Sequence, residues 1–351
     1  MAKVLLKDVV QRIKDKVDKD NTELEYYIGG EHFDYGEICI TKRGVIAGST
    51  IGPAFHMQFK PGDVLLMSRN PHLRKAGVVD FEGICSDVSY VCRTKDENVL
   101  LQRYLPFIFQ TDDFWNFAEQ NKHGSTNFFL NWSDFEKYEF ELPEIEEQKR
   151  LTELLWSAQD TKTAYQELLR QTDELVKSQF IELFGELDDK TFFPRQQWKD
   201  VVTIINGKDH KSVSGNGIYG VYGTGGRMMN CSNYMCEEGT IIMGRKGTID
   251  KPYIVNEKCW VVDTAFGVVP KKEFLNLNYL FQYTKQIDYK KLNKACTLPS
   301  VTKSDLLQLW INIPPMELQN QFEDFVRQTD KSKYIWHNAL NANCVGGECY
   351  A

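Results

Sequence analysis

Much of what this chain does not do can be read from what it lacks. It has no Gly-x-Ser-x-Gly nucleophile elbow, no His-Glu-x-x-His and no phosphate-loop Gly-Lys-Ser/Thr. Its 6 histidines are scattered, and none has a nucleophile beside it in the sequence. Asn70-Pro71 is followed by His72-Leu73, where an amino-methyltransferase motif needs a second proline and an aromatic ring. Ile313-Pro314-Pro315-Met316 lacks both the polar residue and the ring. Gly215 to Gly220 spells Gly-x-Gly-x-x-Gly, yet no strand leads into it and no helix follows, which excludes a dinucleotide site. These glycines are expected to build tight loops. No apolar run approaches the roughly 20 residues that span a bilayer. Met1 to Asn21 has no apolar core, so no signal peptide and a cytoplasmic location are expected. The 9 cysteines are odd in number and lack Cys-x-x-Cys spacing. Cys231/Cys236 and Cys344/Cys349 have no histidine or second cysteine pair nearby. Reduced thiols and no metal site follow as the expectation.

What the chain has is an internal repeat. Pro61 to Asn70 runs in step with Glu238 to Gly247, and Gly83 to Val91 with Cys259 to Gly267. Phe107-Ile108-Phe109-Gln110 answers to Tyr279-Leu280-Phe281-Gln282. Ser133 to Pro143 answers to Ser304 to Pro314, and each copy then opens an acidic helix bearing a glutamine, Gln148 or Gln319. A period of about half the chain is too long for a solenoid, whose units are roughly 20–50 residues. A whole domain and its helix are duplicated, as a task with two related readings requires. The 351 residues suffice for two domains, and a 42% hydrophobic, 13% aromatic composition is that of packed structure.

Charge is unevenly shared. The total is −7. Residues 1–142 carry 17 Lys+Arg against 22 Asp+Glu, residues 143–193 carry 6 against 12, residues 194–313 carry 16 against 10, and 314–351 carry 3 against 5. The second domain is therefore basic, by +6, within an acidic chain. Such a chain can meet a phosphate backbone with one part and other proteins with the rest.

From Glu144 to Phe184 there is neither proline nor glycine. Leu151, Ala158, Tyr165 and Thr172 fall at seven-residue spacing, as do Leu154, Thr161, Leu168 and Leu175, and Leu155, Leu169, Val176 and Leu183. Three adjacent series predict a long coiled-coil helix, roughly 60 Å in extent, ended by Gly185. A second helix from Glu317 starts similarly, with Phe322 and Phe325. Its pattern is expected to decay after Lys333, where Asn341 to Gly347 disfavour a helix. Antiparallel pairing of the two would leave part of the first helix uncovered. Leu151, Leu154, Leu155, Leu168, Leu175, Phe322 and Phe325 are the predicted pairing and partner residues. Short apolar runs at Val64 to Met67, Ser89 to Cys92, Thr240 to Met243 and Phe266 to Val269 read as strands, and Leu100 to Phe109 and Leu277 to Tyr289 as helical. The fold class is α+β, each domain holding a curved, mostly antiparallel sheet.

Those residues carry a resemblance. Leu142-Pro143-Glu144-Ile145-Glu146-Glu147-Gln148 and Ile313-Pro314-Pro315-Met316-Glu317-Leu318-Gln319 resemble the two conserved-region openings of type I restriction–modification specificity subunits. Tyr219 to Gly226, Gly244 to Ile249 and Trp260 to Ala265 resemble successive signatures of a target recognition domain. The match runs to about Lys333. The resemblance implies two target recognition domains, 1–142 and 187–313. A spacer helix would cover 143–186, and a second conserved helix 314–351, altered after about 333. Each domain would read half of a split double-stranded DNA site, and the long helix would set the spacer between the halves. The helices would dock two methyltransferase subunits, joined by two restriction subunits. The chain itself would hold no cofactor and do no catalysis. S-adenosylmethionine, ATP and magnesium would belong to the partners, and DNA cleavage and adenine methylation to the assembled complex.

Arginine suits guanine edges and asparagine adenine, whereas lysine and hydroxyl groups position phosphates. On that basis the DNA-contacting residues expected in the first domain are Ser68, Arg69, Asn70, Arg74 and Lys75, with Ser125, Thr126 and Asn127 in a second loop that matches residues 295–298. In the second domain they are Tyr222, Thr224, Arg227, Arg245 and Lys246, with Lys303 on a phosphate. Asp87 and Asp263 are expected to be structural caps or turn residues. Two rival readings differ in what they require. A fragment of a fused restriction–methylation enzyme needs a cofactor or nuclease motif, and a two-headed protein-binding scaffold needs no salt-dependent DNA affinity.

Overall fold

The computed structural model describes residues 2–187, 189, 193–293 and 298–345, with the backbone alone for 332–345. The described residues form two compact units, 2–163 and 164–345. The division falls inside the long helix, so each unit keeps part of it.

In the first unit the chain runs through β1 (Ala2–Leu5), α1 (Leu6–Val9), β2 (Val10–Ile13), β3 (Tyr26–Ile28), β4 (Gly44–Val45), β5 (Phe55–Phe59) and β6 (Val64–Met67). It continues through β7 (Ala76–Val78), β8 (Gly83–Ser86), β9 (Ser89–Thr94), α2 (Leu105–Ile108), α3 (Asp112–Gln120), α4 (Trp132–Phe135) and β10 (Glu139–Leu142). The helix α5 (Ile145–Phe184) follows. One antiparallel sheet has the order β2-β9-β6-β7 and another the order β4-β3-β8-β5, in which β3 and β8 run parallel. Every residue of β6 and β8 is buried, which is why both read as unbroken apolar or small-residue runs rather than alternating ones. Leu65 and Val91 face one core with Phe59 and Cys85, while Val64, Leu66 and Cys92 face another with Phe109, Phe114 and Trp115.

The second unit repeats the plan. It contains β11 (Arg195–Gln197), α6 (Trp198–Val201), β12 (Val202–Asn206), β13 (Ser214–Gly223), β14 (Gly226–Cys231), β15 (Thr240–Gly244) and β16 (Tyr253–Val255). Then come β17 (Cys259–Val261), β18 (Ala265–Pro270), α7 (Leu277–Gln286), α8 (Tyr289–Leu292), α9 (Lys303–Leu307), β19 (Trp310–Asn312) and α10 (Met316–Val345). The order β12-β18-β15-β16 reproduces the first antiparallel sheet, and β14-β13-β17, with β13 parallel to β17, reproduces the second less one strand. Where Phe59 of β5 pairs with Gly83, the second unit has a lone bridge between Cys236 and Cys259. Asp87 and Asp263 sit in the turns before β9 and β18, as expected.

Three sequence expectations change. Between Leu100 and Phe109 only Leu105–Ile108 is α-helical. The glycine-rich Gly215 to Gly220 lies in strand β13 rather than in a loop. It bulges there, because Ser214 and Tyr219 both pair with Cys231. Gly217 presses so closely on the opposite strand that a Cβ would lie 1.6 Å from the Cys231 carbonyl oxygen. And α10 continues past Lys333 to Val345, through Asn341. Residues 346–351, the rest of the expected altered tail, lie outside the described residues, as do 294–297 of the second loop.

Both conserved helices are seated by the same device. Gln148 is fully buried; its carboxamide donates to the carbonyls of Val99 (2.8 Å) and Pro143 (2.8 Å) and accepts from the Leu101 N–H (3.0 Å). Gln319 is fully buried and donates to Phe274 (3.0 Å) and Pro314 (2.9 Å) while accepting from the Asn276 N–H (2.7 Å). Beyond Thr152, no residue of α5 is buried until Thr172. Thr172, Val176, Phe180 and Phe184 then form a line at four-residue spacing. Phe180 and Phe184 pack edge-on to Phe322 of α10, with centroids 5.5 and 5.4 Å apart. Gly185, with φ of 75°, accepts the left-handed turn that ends α5. Of the predicted pairing residues, Phe322 is buried and Leu151, Leu155, Leu168 and Phe325 are partly so. Leu154 and Leu175 are 60% and 52% exposed, on a face that no described side chain covers closely.

Candidate nucleic-acid interface

In the first unit the chain leaves β6 into a loop that the backbone holds in an uncommon shape. Asn70 has φ of 52° and Arg74 47°, and a single 3-10 turn, Pro71–Leu73, lies between them. A second loop lies against this one. Arg69 and Phe129 form an antiparallel bridge, the Asn70 N–H donates to the Phe128 carbonyl (2.9 Å), and the Leu130 N–H donates to that of Ser68 (2.9 Å). The second loop closes on itself through reciprocal bonds between His123 and Phe129, at 2.8 and 3.0 Å. The His123 ring meets the Asp134 carboxylate at 2.9 Å. Burial works to raise the Asp134 pKa, but bonds from His123, Lys137 and the Asn131 N–H outweigh it and hold the carboxyl below its ordinary range.

The second unit builds the same joint. Lys246 bridges Ser300, the Gly247 N–H donates to Pro299 (2.9 Å), and the Val301 N–H donates to Arg245 (3.0 Å). The N–H groups of Arg245 and Lys246 both reach the Thr264 carbonyl, at 2.8 and 3.1 Å. The Arg245 guanidinium lies 5.9 Å from the Phe266 ring, as that of Arg69 lies 5.5 Å from Phe129. Each unit thus presents an exposed arginine near an aromatic ring just past its central strand, although in the register of the joint Arg69 matches Lys246 and Arg245 matches Ser68.

The candidates divide by what their side chains already do. Arg69, Arg245 and Lys246 are exposed, as are Ser125, Thr126 and Asn127 on the paired loop; Asn70 and Thr224 are half-buried. Ser68 is 4% exposed, enclosed beneath the loop, and so cannot present its hydroxyl to a ligand. Arg74 is ion-paired with Asp112, and the Lys75 ammonium donates to the Gly30 carbonyl (2.6 Å). Lys303, expected on a phosphate, donates instead to the Ile204 carbonyl (2.6 Å). Tyr222 and Arg227 converge on Glu257, at 2.6 and 3.4 Å. Partial burial, then that carboxylate, push the Tyr222 phenol up to about 12. Glu257 follows Val255, which pairs with Thr240 at the start of β15, whereas Arg245 follows its end. The sequence reading missed Phe129 and Phe266 as props. The regular step from Arg69-Asn70 to its bridging partner was hidden because the two loops are distant in the chain.

Among the described residues no group of three His, Cys, Asp or Glu side chains is placed to hold a metal ion. Six described cysteines are free thiols, and five of these are buried. No helix among the described residues is long and apolar enough to cross a membrane.

Comparison with protein families matches residues 196–343 to the type I restriction modification DNA specificity domain. The matched stretch lies in the second unit and is similar to the type I restriction–modification DNA-specificity family. That family is one of DNA-specificity subunits, generally non-catalytic. The S subunit of a type I restriction-modification system from M. genitalium is similar along 98% of this chain and 93% of its own, with a TM-score of 0.61 at 14% identity. That similarity extends the specificity-subunit fold over the first unit as well. A structure reported for complex assembly and conformational transition of the type I R-M system is similar at 18% identity over 97% of this chain and 94% of that one, with a TM-score of 0.48. The HsdS subunit from Thermoanaerobacter tengcongensis is similar at 18% identity over 96% and 91%, with a TM-score of 0.40. No curated protein matches the sequence. The matched region holds the second unit's candidate interface, and the first unit carries its topological repeat.

Proposed function

We propose that the chain is a DNA-specificity subunit that reads a split DNA site, one half with each unit, and brings catalytic partners to it. The observation that carries this reading is the repeated joint: Arg69 bridged to Phe129, and Lys246 bridged to Ser300, at the same place in two equivalent sheets, with Arg245 next to it. An exposed arginine held over a ring is suited to bidentate recognition of guanine, and the hydroxyl and amide groups beside it to phosphate and adenine. Recognition domains would occupy 1–142 and 187–313. The helix common to both units would fix the unread spacer, and α5 and α10 would pair antiparallel outward from the Phe180–Phe184–Phe322 contact. Exposed Leu154 and Leu175 are suited to a protein partner, and two methyltransferase subunits and two restriction subunits are the partners this reading assigns. S-adenosylmethionine, ATP and magnesium then act in those partners, in the cytoplasm, and the cleavage and adenine methylation are theirs. Tyr222, Arg227 and Thr224 remain candidate contacts in the second domain; Glu257 would have to release the first two.

The test is the adenine methylome of a methylation-free host that expresses the chain with its methylation subunit, beside a host without the chain. A two-part motif that depends on the chain is the expected result. Methylation that is absent, or unchanged by the chain, with both proteins soluble, would refute the reading.

A further inference from the structure

Asn70 and Gly247 hold the same place in the two units: each donates its N–H across the joint, to Phe128 and Pro299 respectively, and each has positive φ, 52° and 84°. Glycine adopts that conformation freely, whereas an L-residue is strained in it. Asparagine is among the residues that tolerate it, usually because its short side chain bonds to nearby backbone. Here it makes no such bond. Asn70 stands where a helix cap would stand, before the turn Pro71–Leu73, yet its side chain caps nothing. Its carboxamide has no hydrogen-bond partner among the described residues, and it is only half-buried. Beside it, the Arg69 guanidinium is propped over Phe129. The strained backbone therefore holds out a carboxamide that the fold itself does not use. A carboxamide can pair bidentately with the N6 and N7 edge of adenine.

We propose that Asn70 is a specificity-determining residue that reads an adenine in the half-site of the first unit, and that the second unit, with Gly247, has no reader at this place. This rests on the split-site reading above and refines it. The variant Asn70→Gly is suited to the test, because glycine is the residue the second unit already uses and no capping bond is lost. In the same methylation host, Asn70→Gly should make one adenine of one half-site degenerate. Discrimination there should fall by roughly 5- to 150-fold. The other half-site should keep its motif, and the melting temperature should hold or rise. Asn70→Asp, which keeps the shape but removes the two donors, should lose the same base. An unchanged motif in Asn70→Gly overturns the proposal. So does uniform weakening across all sites, which would mark a phosphate contact. If the unaltered chain directs no split motif, the split-site reading fails first, and the role of Asn70 with it.

Discussion

The two units share a strand order and a helix-seating glutamine, but they differ in how their helices are packed and in what stands at the reading loop. In the second unit, Phe322 sits at 0% exposure among Phe180, Phe184 and Tyr279. Its repeat mate in the first unit, counted from the paired glutamines, is Leu151, which is only half-buried. At the loop, the first unit has Asn70 and the second Gly247, followed by open space. The backbone plan is kept where it places strands and joints, while the side chains differ at the helix contact and at the loop. Duplication preserved the frame and left the faces to diverge.

The largest test of this contrast is in the helices. Phe322→Ala should cost about 4 kcal/mol, as for removal of a fully buried aromatic ring, whereas Leu151→Ala should cost about 1–2. Urea unfolding of the whole chain measures both, and equal values would erase the asymmetry. Gln148→Leu and Gln319→Leu should each cost about 3 kcal/mol, since each strands two carbonyls and an N–H in a buried setting. Here equality is the prediction, and a wide gap would show that the two seats are not equivalent. Arg69→Ala and Arg245→Ala should alter stability by less than about 0.5 kcal/mol. Each should relax a different half-site by about 1–3 kcal/mol of base discrimination, seen in competition binding. Lys246→Ala should lower the salt dependence of DNA binding by about one counterion, whereas Lys303→Ala, whose ammonium holds Ile204, should leave it unchanged. The smallest effect is set by pH. Because Asp134 titrates below its ordinary value of 3.8, its bond to His123 stabilises the folded loop above that pH. That stability is lost as pH falls through the depressed folded value. Hydrogen exchange of the Phe129 amide should quicken there, and Asp134→Asn should remove that response.

Much of this was legible in the sequence, for physical reasons. Val64 to Met67 and Thr240 to Met243 read as strands because both faces of each are buried. The paired glutamines marked the helix starts, although their bonds to backbone could not be read from residue type. One piece of the repeat was present and overlooked: Lys7-Asp8-Val9-Val10 recurs as Lys199-Asp200-Val201-Val202, in the turn from α1 to β2 and from α6 to β12. The Lys95 and Lys271 N–H groups bond the same carbonyls there, Val9 and Val201. The strands β3 and β4 were not foreseen, since they have three and two residues, nor was β5, in which only Met57 and Phe59 are buried. The helix continues beyond Lys333 because asparagine weakens helix propensity only modestly, and a helix already nucleated can carry Asn338, Asn341 and Asn343. The candidate site fared unevenly. Exposed cations can be guessed from composition, but whether a lysine faces solvent or a neighbouring carbonyl, as Lys75 and Lys303 do, is decided only by the fold.

The glutamine seats have one more implication. Gln148 and Gln319 grip only main-chain atoms of the bodies they hold: Val99, Leu101 and Pro143 in one, Phe274, Asn276 and Pro314 in the other. A coupling that asks nothing of its counterpart's side chains works as a standard fitting. The body beyond it can drift in sequence, generation after generation, and still lock onto the same shaft.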